Sequence, residues 1–277
     1  MSKLLVRPGA PDDRGCVLDV TPLSAGWRRV GFKVCHLAAT QKLTGGEAGR
    51  EACLVILSGL ADVTVGDQTW NQIGGRESVF DDAAPAAIYA PAGANYEVSA
   101  SSAVELAICT APGEAGRTPR LIDPAAMTRE VRGEGTNRRY VRNILPHTEA
   151  ADSLLVVEVI TPGGHWSSWP PHKHDTAEVG RETALEETYY HRLSPPQGFA
   201  FQRVYTDDGH IDETLCVHDG DVVLVPRGYH PVGAPHGYDL YYLNVMAGAE
   251  RLWIFRNDPD HDWIARDATT APTKADG

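Results

Sequence analysis

No stretch of this 277-residue chain approaches the ~20 consecutive apolar residues of a membrane-spanning helix. Residues 1–25 also lack the roughly 7–15-residue apolar core of a secretory leader. Basic runs are equally scarce. Lys and Arg number 25 against 37 Asp and Glu, a formal net charge of −12, and the densest basic stretch, Arg138-Arg139 with Arg142, lies beside Glu134. Nucleic-acid binding requires a cationic stripe that displaces counterions, so that class of partner is excluded. The five cysteines are odd in number and no two form a C-x-x-C. That usage argues for free thiols in a cytoplasmic protein. Nor is there a bias toward disorder: 42% hydrophobic and 22% charged residues are globular values. A chain of this length builds its core without a structural metal, so a metal here would serve function.

Helical periodicity is also sparse. Short runs rich in Val, Ile, Leu and Tyr, separated by Gly, Pro, Asp and Asn, predict strands near 30–38, 52–57, 61–65, 86–90, 96–99 and 104–110. A second set falls near 154–160, 188–191, 200–205, 215–217, 222–225, 238–246 and 251–256. This spacing indicates an all-β sandwich or barrel. Each half contains a strand running into Pro-x-Gly, at Pro91-Ala92-Gly93 and at Pro226-Arg227-Gly228, which suggests a duplicated barrel. Residues 112–152 are interrupted by Gly and Pro and read as a connector between a barrel at 1–111 and another at 153–277.

Nine of the eleven histidines lie between His165 and His261. Within Pro171-His172-Lys173-His174-Asp175, strand alternation puts both imidazoles on one face and Lys173 on the other. Glu187, on the next strand, offers a carboxylate, with Asp175 and Glu186 as substitutes. His230, four residues after Pro226, offers a third imidazole. Three imidazoles and one carboxylate suit one divalent ion per chain, and Zn, Mn, Fe, Co and Ni all fit the set. His165 sits at the margin of this cluster. His191, His210, His218, His236 and His261 read as ordinary surface or loop histidines.

The order H-x-H, Glu, Pro-x-Gly, His resembles the cupin superfamily of double-stranded β-helix barrels, so the chain reads as a bicupin. The gap filled by Thr176–Leu185 is longer than usual, and a single residue, Tyr229, separates Gly228 from His230. In the first half Lys42 to Gly46 stand where H-x-H would fall and Asn95 stands near the last His position, which implies a degenerate barrel without metal. Longer strings resemble the 5-deoxy-glucuronate isomerase family of myo-inositol breakdown. They include Arg132-Gly-Glu-Gly-Thr-Asn137, Trp166-Ser-Ser-Trp-Pro-Pro-His-Lys-His-Asp175, Leu185-Glu-Glu-Thr-Tyr-Tyr190 and Gly237-Tyr-Asp-Leu-Tyr-Tyr-Leu-Asn-Val-Met-Ala-Gly248.

The resemblance implies conversion of 5-deoxy-D-glucuronate to 2-deoxy-5-keto-D-gluconate, with a small uronate as the partner and a homo-oligomer allowed. Two alternatives are a 4-deoxy-5-keto-uronate isomerase of pectin breakdown and an iron-dependent cupin dioxygenase. An isomerase of this kind calls for an acid/base group, and Tyr205, Tyr229 and Glu186 are the candidates. The substrate carboxylate calls for an arginine, whose planar fork grips both oxygens. Arg203 shares a strand face with Phe199, Phe201 and Tyr205, and is the clamp if that face lines the barrel. Otherwise it is a surface residue pairing with Asp207 or Asp208. Arg132, Arg139 and Arg142 are the further candidates.

Overall fold

The long strands are buried along nearly their whole length rather than on alternate residues. Arg50–Ser58 has seven consecutive buried residues between half-buried ends, and Asp239–Gly248 is buried from Leu240 onward. A strand of this kind must be covered on both faces. The computed structural model, which describes residues 2–265, shows what covers them. Residues 266–277 of the expected second barrel lie outside the described residues, as does Met1.

Two antiparallel barrels lie back to back. The first is built on a six-stranded sheet facing a four-stranded one, and the second on a seven-stranded sheet facing another four-stranded one. In each large sheet, strand alternation divides the side chains between barrel lumen and interface. Ala52, Leu54 and Ile56 point into the first lumen. Cys53, Val55 and Leu57, their neighbours, enter a core shared by both barrels. On the other side Tyr241, Leu243 and Val245 join the shared core, while Leu240, Tyr242 and Met246 fill the second lumen.

Polar groups cross this interface as well, chiefly through glutamates. Glu51 accepts from the backbone N–H groups of Asp152, Ser153 and Leu154. Glu105 accepts from the Tyr190 hydroxyl and pairs with Arg192. Glu158, 2% exposed, lies between Arg76 at 3.0 Å and Arg142 at 3.3 Å and also accepts from Tyr241.

The chain ends of the barrels are interleaved. Leu5–Val6 pairs with Val222 and Val223 of the second barrel. The segment read as a connector contains three strands. Arg120–Ile122 extends the first large sheet, and Arg129–Arg132 and Arg139–Leu145 extend the second. Gly and Pro there mark the breaks between short strands. Cys16 and Cys35, read as free thiols, face each other on paired strands and form a disulfide. Cys53, Cys109 and Cys216 remain free. Among the described residues, no helix is long and apolar enough to cross a membrane.

The Glu158 cluster is a buried network, and without its carboxylate Arg76 keeps only backbone carbonyls as partners while Arg142 keeps Asp82. Glu158→Ala should therefore lower unfolding free energy by about 3–5 kcal/mol, and Glu158→Gln by less. Denaturant titration of both variants measures this, and a loss below about 1 kcal/mol would show that the charges are met by solvent.

Candidate metal centre

Three elements deliver ligands to the second lumen. His172 starts the short strand His172–Lys173, which pairs with Arg256–Asn257. His172 and His174 both point inward, while Lys173 turns outward to Asp175 and Asp207, each at 3.0 Å. The insertion after Asp175 is closed by Glu182, whose carboxylate accepts from the backbone N–H groups of Asp175 and Thr176. The chain then returns so that Leu185 donates to the His174 carbonyl. Two residues later Glu187 faces the same lumen, paired in register with Val225.

The third element is the turn after Pro226. Gly228 has φ of 93°, and a Cβ there would lie 2.3 Å from the Tyr205 carbonyl oxygen. Only glycine fits. Its N–H donates to Asp175 and its carbonyl accepts from His230 Nδ1 at 2.8 Å. That bond leaves Nε2 of His230 with its lone pair directed into the lumen.

His174, Glu187 and His230 offer ligand atoms within 4.8 Å of one another. Nε2 of His174 and Nε2 of His230 stand 3.0 and 3.2 Å from the same Glu187 oxygen. All three atoms are buried and lack a hydrogen-bond partner. Buried polar atoms are rarely left so, and a divalent cation at their centre would satisfy all three. The residues present therefore fit a metal ion. Burial drives the His230 imidazole down to about 4, and pushes His172 well below its usual range. Burial also opposes charge on His174, but the adjacent Glu187 carboxylate outweighs it and the net direction is upward. His172 stands beside the trio rather than in it, its ring 5.1 Å from His230 and 4.5 Å from Phe255.

Several other candidates fall on the wrong face of their strands. Glu186 lies on the interface side and accepts from the backbone N–H groups of Arg28, Arg29 and Val30. Tyr229 precedes His230 and so turns outward, donating to Asp207, and Tyr205 donates to Asp258. Burial, reinforced by these carboxylates, pushes both phenols up, so they hold their protons. Arg203 is exposed and forms a two-bonded pair with Asp212. Its strand face is the outer one, since Ala200, Gln202 and Val204 occupy the inside. Arg142 belongs to the Glu158 cluster.

Arg132 and Arg139 are cross-strand partners on the lumen side. Arg132 is neutralised by Glu130 and lines a cavity of about 650 Å³ bounded by Trp253 and Phe255, the ring that packs on His172. Arg139 is half-buried. It donates only to the carbonyls of Asn137 and Trp169, at 3.1 and 3.4 Å, and pairs with no carboxylate among the described residues. Burial pushes its guanidinium down, the mark of a cation lacking its counter-charge.

The lumen contains further polar groups that the motif reading passed over. Tyr189 and Tyr242 bond Ser168 and Ser167, and burial raises both phenols. His191 is fully buried rather than at the surface, with Nε2 2.9 Å from Gln202. The available signal was parity, since Tyr189 and His191 follow Glu187 at steps of two.

The chain is similar to known proteins over nearly its whole length. Residues 4–264 match the model of the KduI/IolB family. The 5-deoxy-glucuronate isomerase of Geobacillus kaustophilus is 53% identical over 274 residues, 99% of each chain. The Bacillus subtilis 168 protein of that name is 47% identical, covering 95% of this chain and 99% of its own. An IolB-like protein from Salmonella typhimurium superposes with a TM-score of 0.92 at 49% identity, over 95% of this chain and 99% of that one. The oxalate decarboxylase of Bacillus subtilis, with Mn(II) centres, shares the fold at a TM-score of 0.65 and 14% identity, over 100% of this chain and 88% of that one. The chain belongs to the KduI/IolB family and is a bicupin enzyme, an isomerase.

His191 gives the lumen a pH dependence that can be separated from metal binding. Burial lowers its imidazole from 6.5 to about 4. The unfolded chain thus binds the proton first, and the stability His191 contributes is complete above about pH 6.5 and is lost as pH falls toward 4. In metal-free protein the full loss amounts to about 3 kcal/mol. Between pH 7.5 and 4.5, His191→Gln should flatten the fall in unfolding free energy by an amount of that order. Parallel curves for parent and variant would mean that His191 is not the group that titrates.

Proposed function

We propose that this chain is a metal-dependent aldose–ketose isomerase converting 5-deoxy-D-glucuronate to 2-deoxy-5-keto-D-gluconate in myo-inositol catabolism. The observation that carries this reading is a lumen with two complementary poles. One is the buried trio of unpartnered ligand atoms on His174, Glu187 and His230. The other is the unpaired guanidinium of Arg139. A uronate has matching ends: a carbonyl with a neighbouring hydroxyl, and a carboxylate. Relatives at 45–53% identity are named for this reaction.

One divalent ion per chain is held by His174, Glu187 and His230, with His172 alongside as a fourth ligand. Zn, Mn, Fe, Co and Ni all suit this set. When bound, such an ion supplies a Lewis acid that polarises a carbonyl and acidifies the hydroxyl next to it. The ion belongs to the second barrel, from about residue 153, and the first barrel, residues 1–111, carries none. The protein residues orient the substrate. Arg139 takes the carboxylate in a bidentate grip, and the protonated phenols of Tyr189 and Tyr242 donate to sugar oxygens. The conversion moves two hydrogens from C2 and its oxygen to C1 and its oxygen, so it is redox-neutral and needs no oxygen. A cytoplasmic location follows for an enzyme of this kind.

Anaerobic incubation of metal-quantified protein with 5-deoxy-glucuronate should yield the ketose at about one ion per chain. His174→Ala and Glu187→Gln should lose both ion and turnover. A requirement for oxygen, or full activity in ion-free variants, would overturn the reading.

Arg139→Ala should cost about 2–5 kcal/mol in kcat/KM, as when one partner of a desolvated charge pair is truncated. Arg139→Lys should recover only part, because an ammonium lacks the planar fork. Arg203→Ala should stay within about threefold of the parent, since its partner is an exposed aspartate. If Arg139→Ala also stays within about threefold, the carboxylate is bound elsewhere.

A further inference from the structure

We infer that the first barrel contains a binding site for a small oxyanion, a carboxylate or phosphate, at the position where the second barrel presents its metal trio. Strand register makes the two positions equivalent. In the second barrel Glu187 pairs with Val225, the residue before Pro226. In the first, Ala52 pairs with Ala90, the residue before Pro91. Ala52 thus takes the place of Glu187, and Asn95, four residues after its proline, that of His230.

The histidine pair is excluded here by space. A Cβ on Gly45 would come within 2.3 Å of the Tyr96 ring, and one on Gly46 within 2.6 Å of the Ala94 carbonyl oxygen. Neither position can take a histidine without displacing its neighbours.

The vacated volume is a cavity of about 230 Å³ whose charged lining is Arg14, Lys33, Arg50 and Glu47. Lys33 is paired with Asp19 at 2.7 Å, which leaves the guanidinium groups of Arg14 and Arg50 against the single carboxylate of Glu47. Glu47 is mostly exposed and stands 3.7 Å from Arg50. Arg50 is held in place by bonds to the Arg29 carbonyl and the Thr110 hydroxyl, and Thr110 also lines the cavity. The Arg14 side chain donates to the Thr44 carbonyl and bonds no carboxylate among the described residues. Positive charge is therefore supplied by side chains at the place where the other barrel would use an ion, and a fixed cation cluster selects the opposite ligand. The cavity is below the usual size of drug-like pockets, which limits the ligand to an inorganic ion or a short acid.

Titration calorimetry on the full-length protein tests this with two probes, inorganic phosphate and D-gluconate, the stronger signal separating a phosphate site from a sugar-acid site. At least one should bind saturably, and Arg50→Gln should weaken it by about tenfold or more. Arg14→Gln, a change at an exposed residue that leaves folding intact, should weaken it as well. His174→Ala should leave it unchanged, which separates this site from the second lumen and its failure from failure of the isomerase reading. No saturable heat with either probe, binding undiminished in the arginine variants, or binding lost in His174→Ala would each overturn the proposal. Should Arg50→Gln fail to fold, Arg14→Gln decides alone.

Discussion

The arrangement depends on one constraint: the central strands of both large sheets are covered on two faces at once. One face fills a barrel and the other fills the core between barrels. Cys53, Val55 and Leu57 of the first barrel share that core with Tyr241, Leu243 and Val245 of the second. Such a surface is not left to water, and all six side chains are fully buried. The first barrel is required whatever it binds, since its outer face completes the core of its partner.

Because the covering is two-sided, a step of one residue decides what a side chain does. Glu187 faces the lumen beside His174 and His230, whereas Glu186 binds the backbone of residues 28–30 across the interface. His230 faces the lumen and Tyr229 turns away from it to Asp207. Tyr242 reaches the lumen serine, and Tyr241 reaches the interfacial Glu158. The same rule turns Arg203 and Tyr205 away from the lumen, since both alternate with the inward Gln202 and Val204.

The sequence made the all-β architecture, the duplication and the H-x-H, Glu, His order legible, because each rests on local periodicity or on short spacing. What it left open was which face of a given strand is the inside. The face bearing Phe199, Phe201 and Arg203 looks apolar enough to be interior, yet Phe201 is 45% exposed. Arg139 was no more conspicuous than Arg132 or Arg142. What distinguishes it is that no carboxylate pairs with it among the described residues, whereas Arg132 pairs with Glu130 on its own strand and Arg142 with Glu158 across strands. His191 was hidden for a related reason: its burial comes from Tyr189, Tyr242 and Gln202, which only the closed barrel brings together.

The interface also positions the candidate metal ligands. Glu186 is held by three backbone N–H groups of the first barrel, and Tyr190 by Glu105. These contacts flank Glu187 on its own strand and oppose any sliding of that strand along the sheet. A slip of one residue would exchange Glu187 for an outward neighbour and destroy the trio. The ligand carboxylate is itself nearly free of hydrogen bonds, with one oxygen unpartnered, so its own contacts cannot fix the register. The precision such a trio needs is supplied from the opposite face of the strand, by contacts with the other barrel.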